Sequence, residues 1–308
     1  MWIAVSGQVP GSGHVERGIP CQDRADSWVG VRPGLMVLDG RGSAALSHVG
    51  AAAARETLRS FISDSEPLLA QVLDTPDEAL AAVGWQGLAR MMFHAAACKQ
   101  LMLAEWYQTD AGSFEFTLTL AIVGVRRLGW FAVGDSPLVI GRHGVTALAT
   151  GIESHEFANQ TSFVTASPSS RLGMQGGLVP LDGVRAIIAM TDGTASRMVK
   201  LCDQTPATAV SQISERFATR QWDETDLIAV LEDPAWDEIT RDDRSLAILA
   251  RDLPYPPLSA EAAVREACIG DAPTASGTSH PAMGRGSKRA FLKVLSRDHR
   301  IRPSASSQ

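Results

Sequence analysis

The sequence predicts an α+β fold built in layers, and three observations carry that expectation. Four short apolar runs rich in β-branched and aromatic residues read as buried strands. Two long helical patterns stand side by side between the first two of these runs. Strands and helices therefore come in blocks, not in the regular alternation of a doubly wound parallel sheet. The first strand is Leu35–Leu38, and the helical patterns that follow cover Ala44–Ile62 and Glu78–Tyr107. Leu128–Val133 and Val184–Met190 are the next strands, and a helical region follows Asp192 to about Arg220 with a break near Pro206. Ser245–Ala250 closes the unit.

Composition then shifts. Pro254, Pro256 and Pro257 lead into a stretch rich in Ser, Ala, Gly and Pro that runs to about Ser287. The expected organisation is a compact domain over residues 1–252 and a flexible tail over 253–308. Within the tail, residues 259–268 read as a short helix with Ser259 as N-cap. Residues 288–301 read as a basic amphipathic segment, with Phe291, Leu292, Val294 and Leu295 among Lys and Arg.

The chain has 308 residues, 45% apolar and 20% charged, with a formal charge of −6, which is ordinary globular composition. Between Arg285 and Arg302, seven basic residues and one acid give +6, leaving −12 on the rest of the chain. So acidic a body is a poor general binder of nucleic acid, whose phosphates demand Lys and Arg surfaces. No uncharged apolar run approaches the ~18 residues of a membrane span, and the first residues lack the basic and apolar regions of a signal peptide. Cys21, Cys98, Cys202 and Cys268 are scattered, without a C-x-x-C pair, which removes zinc fingers and local redox motifs and suits a reducing cytoplasm.

Chemistry gathers where strands end. Leu35–Leu38 runs into Asp39-Gly40, Leu128–Val133 into Gly134-Asp135-Ser136, and Val184–Met190 into Thr191-Asp192-Gly193. A fourth acidic pair, Asp242-Asp243, stands just before the closing strand. A single Asp-Gly is more often a turn. Leu181-Asp182-Gly183 precedes a strand and is read as a hairpin turn of that kind. The other aspartates close apolar strands, so they gather at a sheet rim, where carboxylates repel one another unless cations neutralise them. Oxygen ligands without clustered His or Cys select Mg²⁺ or Mn²⁺, and two such ions suit in-line attack on phosphorus.

These residues also resemble a family. Gly11-Ser-Gly-His14-Val-Glu-Arg17-Gly18-Ile-Pro20-Cys21-Gln22-Asp23 is similar to the N-terminal motif of bacterial type-2C metal-dependent protein phosphatases, the PPM family. Leu38-Asp39-Gly40-Arg41-Gly42-Ser43 resembles their first metal motif and Val133-Gly134-Asp135-Ser136 the mid-domain one. Thr191-Asp192-Gly193 and Arg241-Asp242-Asp243 resemble the last two, in family order. The resemblance implies a four-layer α/β/β/α sandwich, with two central antiparallel sheets flanked by helix pairs and the metal site at the sheet rim. It also implies hydrolysis of phosphoserine or phosphothreonine on a phosphoprotein by a hydroxide bridging two Mg²⁺ or Mn²⁺ ions, opposing a serine/threonine kinase in the cytoplasm.

By the same resemblance, Asp39 bridges the ions, the Gly40 carbonyl ligates the second, and Asp192 and Asp242 hold the first. Asp23 orients a water on the second ion, sharing the catalytic role with Asp39, and Asp135 joins Asp192 at a weaker third site. Three positions depart from the family. Many members carry a phosphate-binding Arg where Gly18 stands; Arg17 is one residue off, on the wrong side of an extended segment, so His14 and Arg41 join it as candidate substrate-binding residues. Arg41 stands where eukaryotic members often place an acidic His, and it cannot donate a proton at neutral pH. Pro137 follows the mid-domain motif where Arg is common.

The rival reading is a pseudophosphatase that uses the same fold as a binding or regulatory module. Gly134-Asp135-Ser136-Pro137-Leu138 looks like an esterase motif but lacks the later Asp-x-x-His, and no phosphate-binding Gly-rich loop is present. Met91-Met92 and Trp106-Tyr107 read as core or helix-end packing. The basic tail could dock on an acidic partner, an anionic membrane surface or the acidic body itself, against the plain alternative of a solvated, frayed end.

Overall fold

The computed structural model describes residues 1–142, 144–150, 161–165, 173–200 and 204–252. The tail elements expected over 259–268 and 288–301 lie outside the described residues. The chain opens with strand β1, Trp2–Val9, and a one-and-a-half-turn helix α1, Ser12–Arg17. Strands β2 (Arg24–Trp28) and β3 (Gly34–Gly40) precede three helices: α2 (Ser47–Asp64), α3 (Glu66–Leu73) and α4 (Glu78–Tyr107). Five strands follow: β4 (Phe116–Val123), β5 (Arg127–Val133), β6 (Leu138–Arg142), β7 (Val145–Leu148) and β8 (Met174–Pro180). Next come β9 (Val184–Met190), α5 (Asp192–Met198), the two-residue strands β10 (Val199–Lys200) and β11 (Thr205–Pro206), α6 (Thr208–Ala218), α7 (Glu224–Leu231) and β12 (Arg244–Arg251).

Two five-stranded antiparallel sheets result, in the orders β1-β12-β9-β6-β7 and β2-β3-β4-β5-β8. Period-2 alternation assigns their side chains to two different cores. On β3, Leu35 and Val37 face the other sheet, while Met36 and Leu38 face α2–α4. On β12, Ala247 and Leu249 face the inter-sheet core, and Leu246, Ile248 and Ala250 pack with α6 and α7. Strands buried on both faces need apolar residues at every position, which explains the continuous runs. The result is the four-layer α/β/β/α sandwich that the family resemblance implies.

Helix α4 has the predicted bounds. Asp77 caps its start by accepting from Leu80 N at 3.0 Å, and Gln108, at φ 52°, ends it in the left-handed region. Inside the helix, Trp85 lies over Gly129 and donates its indole N–H to Trp130 O at 2.9 Å. Helix α2 starts later than expected, because residues 41–46 turn: Ala44 N donates to Arg41 O and Leu46 N to Ser113 O.

Three other expectations are corrected. Asp182 does sit in a turn, with Gly183 at φ 69°, but the turn joins β8 of one sheet to β9 of the other and makes no hairpin. Arg17 belongs to a helix, not an extended segment, so a one-residue offset rotates it by about 100° and does not reverse it. Only half of each residue pair on α4 packs. Met92 is fully buried and Tyr107 sits edge-on to Phe114, but Met91 is half exposed and Trp106 is 84% exposed.

Candidate active site

Four of the predicted aspartates converge from both sheets on one cleft. Asp39 sits on β3 opposite Thr117 of β4, and a side chain at the next residue, Gly40, would collide with Gln22 O and Ser47. After β5 the chain turns at Gly134, φ 102°, where the backbone presses on Thr117, and this delivers Asp135. Asp192 opens α5 immediately after β9. Asp242 precedes β12 and is set by hydrogen bonds from its own N–H to Thr240 Oγ1 (3.2 Å) and from Asp243 N to its Oδ1 (2.9 Å). Asp39, Gly40, Asp135, Asp192 and Asp242 line an open cavity of about 770 Å³, shared with His14, Arg17 and Arg41.

The charges in this cleft are uncomfortable. Burial holds the Asp39 carboxyl well above the ordinary range, and Asp192, Asp23 and Asp135 push it further. Asp192 opens to the cleft with dense protein behind it; burial and the neighbouring Asp135 raise it to about 6. The Asp39 and Asp192 carboxyls act directly on each other. Thr161 Oγ1 donates to Asp135 Oδ2 at 3.1 Å.

Asp23 stands one layer back and does not line the cavity. It is buried, accepts from Thr191 Oγ1 at 2.7 Å, and is raised by burial and by Asp243. Asp243, to which sequence reasoning gave no role, points inward where Asp242 points out. Its carboxylate accepts the backbone N–H groups of Gly11 (2.8 Å) and Gln22 (2.6 Å), and His14 Nδ1 lies 2.9 Å away. His14, Asp242 and Asp243 bring ligand atoms within 4.8 Å of one another and could also hold an ion. Both Asp243 oxygens already serve backbone amides, however, which favours the cleft carboxylates as ligands.

Residues 10–232 match the family model described as Protein phosphatase 2C. The chain belongs to the protein phosphatase 2C family. Among solved structures, the serine/threonine phosphatase Stp1 from Staphylococcus aureus superposes with a TM-score of 0.55 at 14% identity, over 81% of this chain and 95% of that one. A bacterial serine phosphatase carrying a point mutation gives 0.53 at 16% identity, over 81% and 98%. PppA, a key regulatory component of T6SS in Pseudomonas aeruginosa, gives 0.51 at 14%, over 81% and 97%. At such identities the likeness is one of fold. Curated proteins include no match to the chain.

Protein phosphatase 2C membership sharpens the question of the guanidinium groups. Gly18 caps α1 with φ 66°, a conformation that glycine adopts freely and arginine resists, so the usual phosphate-binding position is taken by a cap. Arg17 still lines the cleft, its Nε donating to Gly13 O at 2.8 Å. Arg41 lines the same cleft, where Nη1 donates to Glu115 Oε2 at 2.5 Å and the guanidinium lies over the Phe163 ring. Arg241, unforeseen from the sequence, also reaches the cavity and pairs with Glu16. Its only advance signal was its place beside Asp242.

Proposed function

We propose that the chain is a metal-dependent serine/threonine phosphoprotein phosphatase, hydrolysing phosphoserine and phosphothreonine esters by direct attack of water. The carrying observation is the convergence of Asp39, Asp135, Asp192 and Asp242 on one open cleft, with two of them raised by burial and mutual repulsion. Carboxylates and a carbonyl, without thiolates, suit hard Mg²⁺ or Mn²⁺, and like charges crowded together are what such ions relieve. The residues thus fit the metal dependence of the family.

In this reading Asp39 would be shared by two ions, with the Gly40 carbonyl on the second, Asp192 and Asp242 on the first, and Asp135 with Asp192 at a weaker third site. Bound there, the ions supply a water-derived nucleophile at neutral pH and stabilise charge on the phosphoryl oxygens. The chain's own groups do the rest. Asp23, behind the cleft floor and held by Thr191, orients water from the rear. Arg17 and Arg41 on the cleft walls bind and orient the phosphate, with His14 beside Asp242, its Nε2 3.8 Å from Oδ1. A guanidinium is no proton donor at neutral pH, so the leaving alkoxide takes its proton from water in the open cleft.

The partner is then a phosphorylated protein whose kinase this chain opposes, in the cytoplasm, with the basic tail docking on an acidic partner. Among the described residues no helix is long and apolar enough to cross a membrane. Gly18 in place of the usual arginine and the Arg41–Glu115 pair favour a second reading, a binding module without turnover. Hydrolysis of a small aryl phosphate separates the two. Turnover that needs added Mn²⁺ or Mg²⁺ and disappears in Asp39→Asn supports the enzyme; Mn²⁺ binding with no turnover supports the module.

A further inference from the structure

Helix α4 buries one face through Trp85, Leu88, Met92, Phe93 and Ala96, in one core with α2, α3 and the sheet, and its other face is also largely apolar. Leu80, Val83, Gly87, Met91, Cys98 and Leu101 follow one another at spacings of three, four or seven along one face of the helix, which also carries Arg90, His94 and Glu105. Met102 and Trp106 widen its C-terminal end. Val83 is 71% exposed, and every large apolar side chain on the stripe is about half exposed or more. Between Ala79 and Ala104, Arg90 is the only charged residue fully in solvent, with Lys99 half-buried. A single exposed Leu needs no explanation; a largely apolar stripe along a 30-residue helix does.

We propose that this stripe is the interface of a symmetric homodimer, in which two copies of α4 pack antiparallel. The pattern is self-complementary about its midpoint. A two-fold axis near His94 lays Leu101 of each copy over Gly87 of the other, where a Cβ would meet nothing within 4 Å. The same axis sets Met91 against Cys98, and the Leu80–Val83 end against the Trp106 end. Area agrees: a helix ~45 Å long, laid along its twin, removes on the order of 700 Å² from each copy, near the ~800 Å² per partner of a stable interface. Charge agrees as well. The chain outside the basic tail carries −12, so copies approach with least repulsion across this near-neutral face. The tail, at +6 between Arg285 and Arg302, finds only Glu78 and Glu105 there and is the poorer match.

Sedimentation of the full chain between about 1 and 100 μM tests the proposal. The expected result is twice the 32.8 kDa chain mass, with Cys98, exposed in the single copy, slow to alkylate at the high end of the range. Met91→Glu with Leu101→Glu should raise the dissociation constant at least about 30-fold while leaving the circular dichroism unchanged. Val83→Glu, at a side chain already in solvent, is the second variant if the pair misfolds. A monomer with reactive Cys98, a monomer whose Cys98 is shielded by the tail, or a dimer indifferent to all three glutamates would each overturn it.

Discussion

Asp242 and Asp243 are neighbours with opposite duties, and the difference lies in which way the backbone turns them. Asp242 faces the cleft, while Asp243 binds the N–H groups of Gly11 and Gln22 and so fastens the N-terminal motif beneath the site. Asp243→Ala strands those two buried donors, and unfolding by denaturant should show a loss of about 2–4 kcal/mol. Asp39→Asn leaves packing intact but removes the proposed bridging oxygen, so phosphate release should fall at least about 1,000-fold without loss of fold. The rim aspartates were legible because each ends or flanks an apolar run. Asp243 was not, because a doublet of identical letters says nothing about direction. Arg241 was hidden because nothing marks it but its place beside Asp242.

At the scale of elements, the site depends on how closely short segments approach. Helix α1 lies so near residues 241–242 that a Cβ on Gly11 would stand 2.2 Å from Arg241 O. Gly11→Ala must push backbone against backbone, and a loss of more than about 3 kcal/mol is expected. Gly42→Ala, where a Cβ meets nothing within 4 Å, should stay within about 0.5 kcal/mol, and denaturant unfolding of both variants checks the contrast. Strands β3, β5, β9 and β12 were readable because they are buried on both faces. Strand β2 is mostly polar, and β8 carries Gly176, Gly177 and Pro180; both sit at sheet edges, where half the ladder faces outward and the apolar signal thins. At six residues, α1 is too short to show a helical period. The solvent stripe of α4 escaped for the opposite reason: a helix apolar on both faces reads simply as buried.

At the scale of the molecule, two sheets each deliver two carboxylates to one rim, and that convergence has a thermodynamic sign. Asp192 is raised to about 6, and Asp39 and Asp23 are raised too, so the metal-free native state binds more protons than the unfolded chain. Stability is then greatest below the ordinary carboxylate range and falls as pH rises through about 6. For Asp192 the effect is about 1 kcal/mol, discounted because its carboxylate opens to water. Thermal unfolding in EDTA should show a midpoint that drops between pH 4 and 6.5, and Mn²⁺ should abolish the drop; a midpoint that rises across that window would refute the repulsive cluster. The layered class was legible from the block order of strands and helices, but the pairing order within each sheet was not, since β1 meets β12 from the far end of the domain. The most direct measurement is phosphate release from a phosphothreonine peptide in EDTA, Mg²⁺ or Mn²⁺, with wild type and Asp39→Asn side by side. Release restored by metal and lost in the variant is the predicted result. Release that persists in EDTA, or no release in any metal despite Mn²⁺ binding, would contradict the proposed phosphatase.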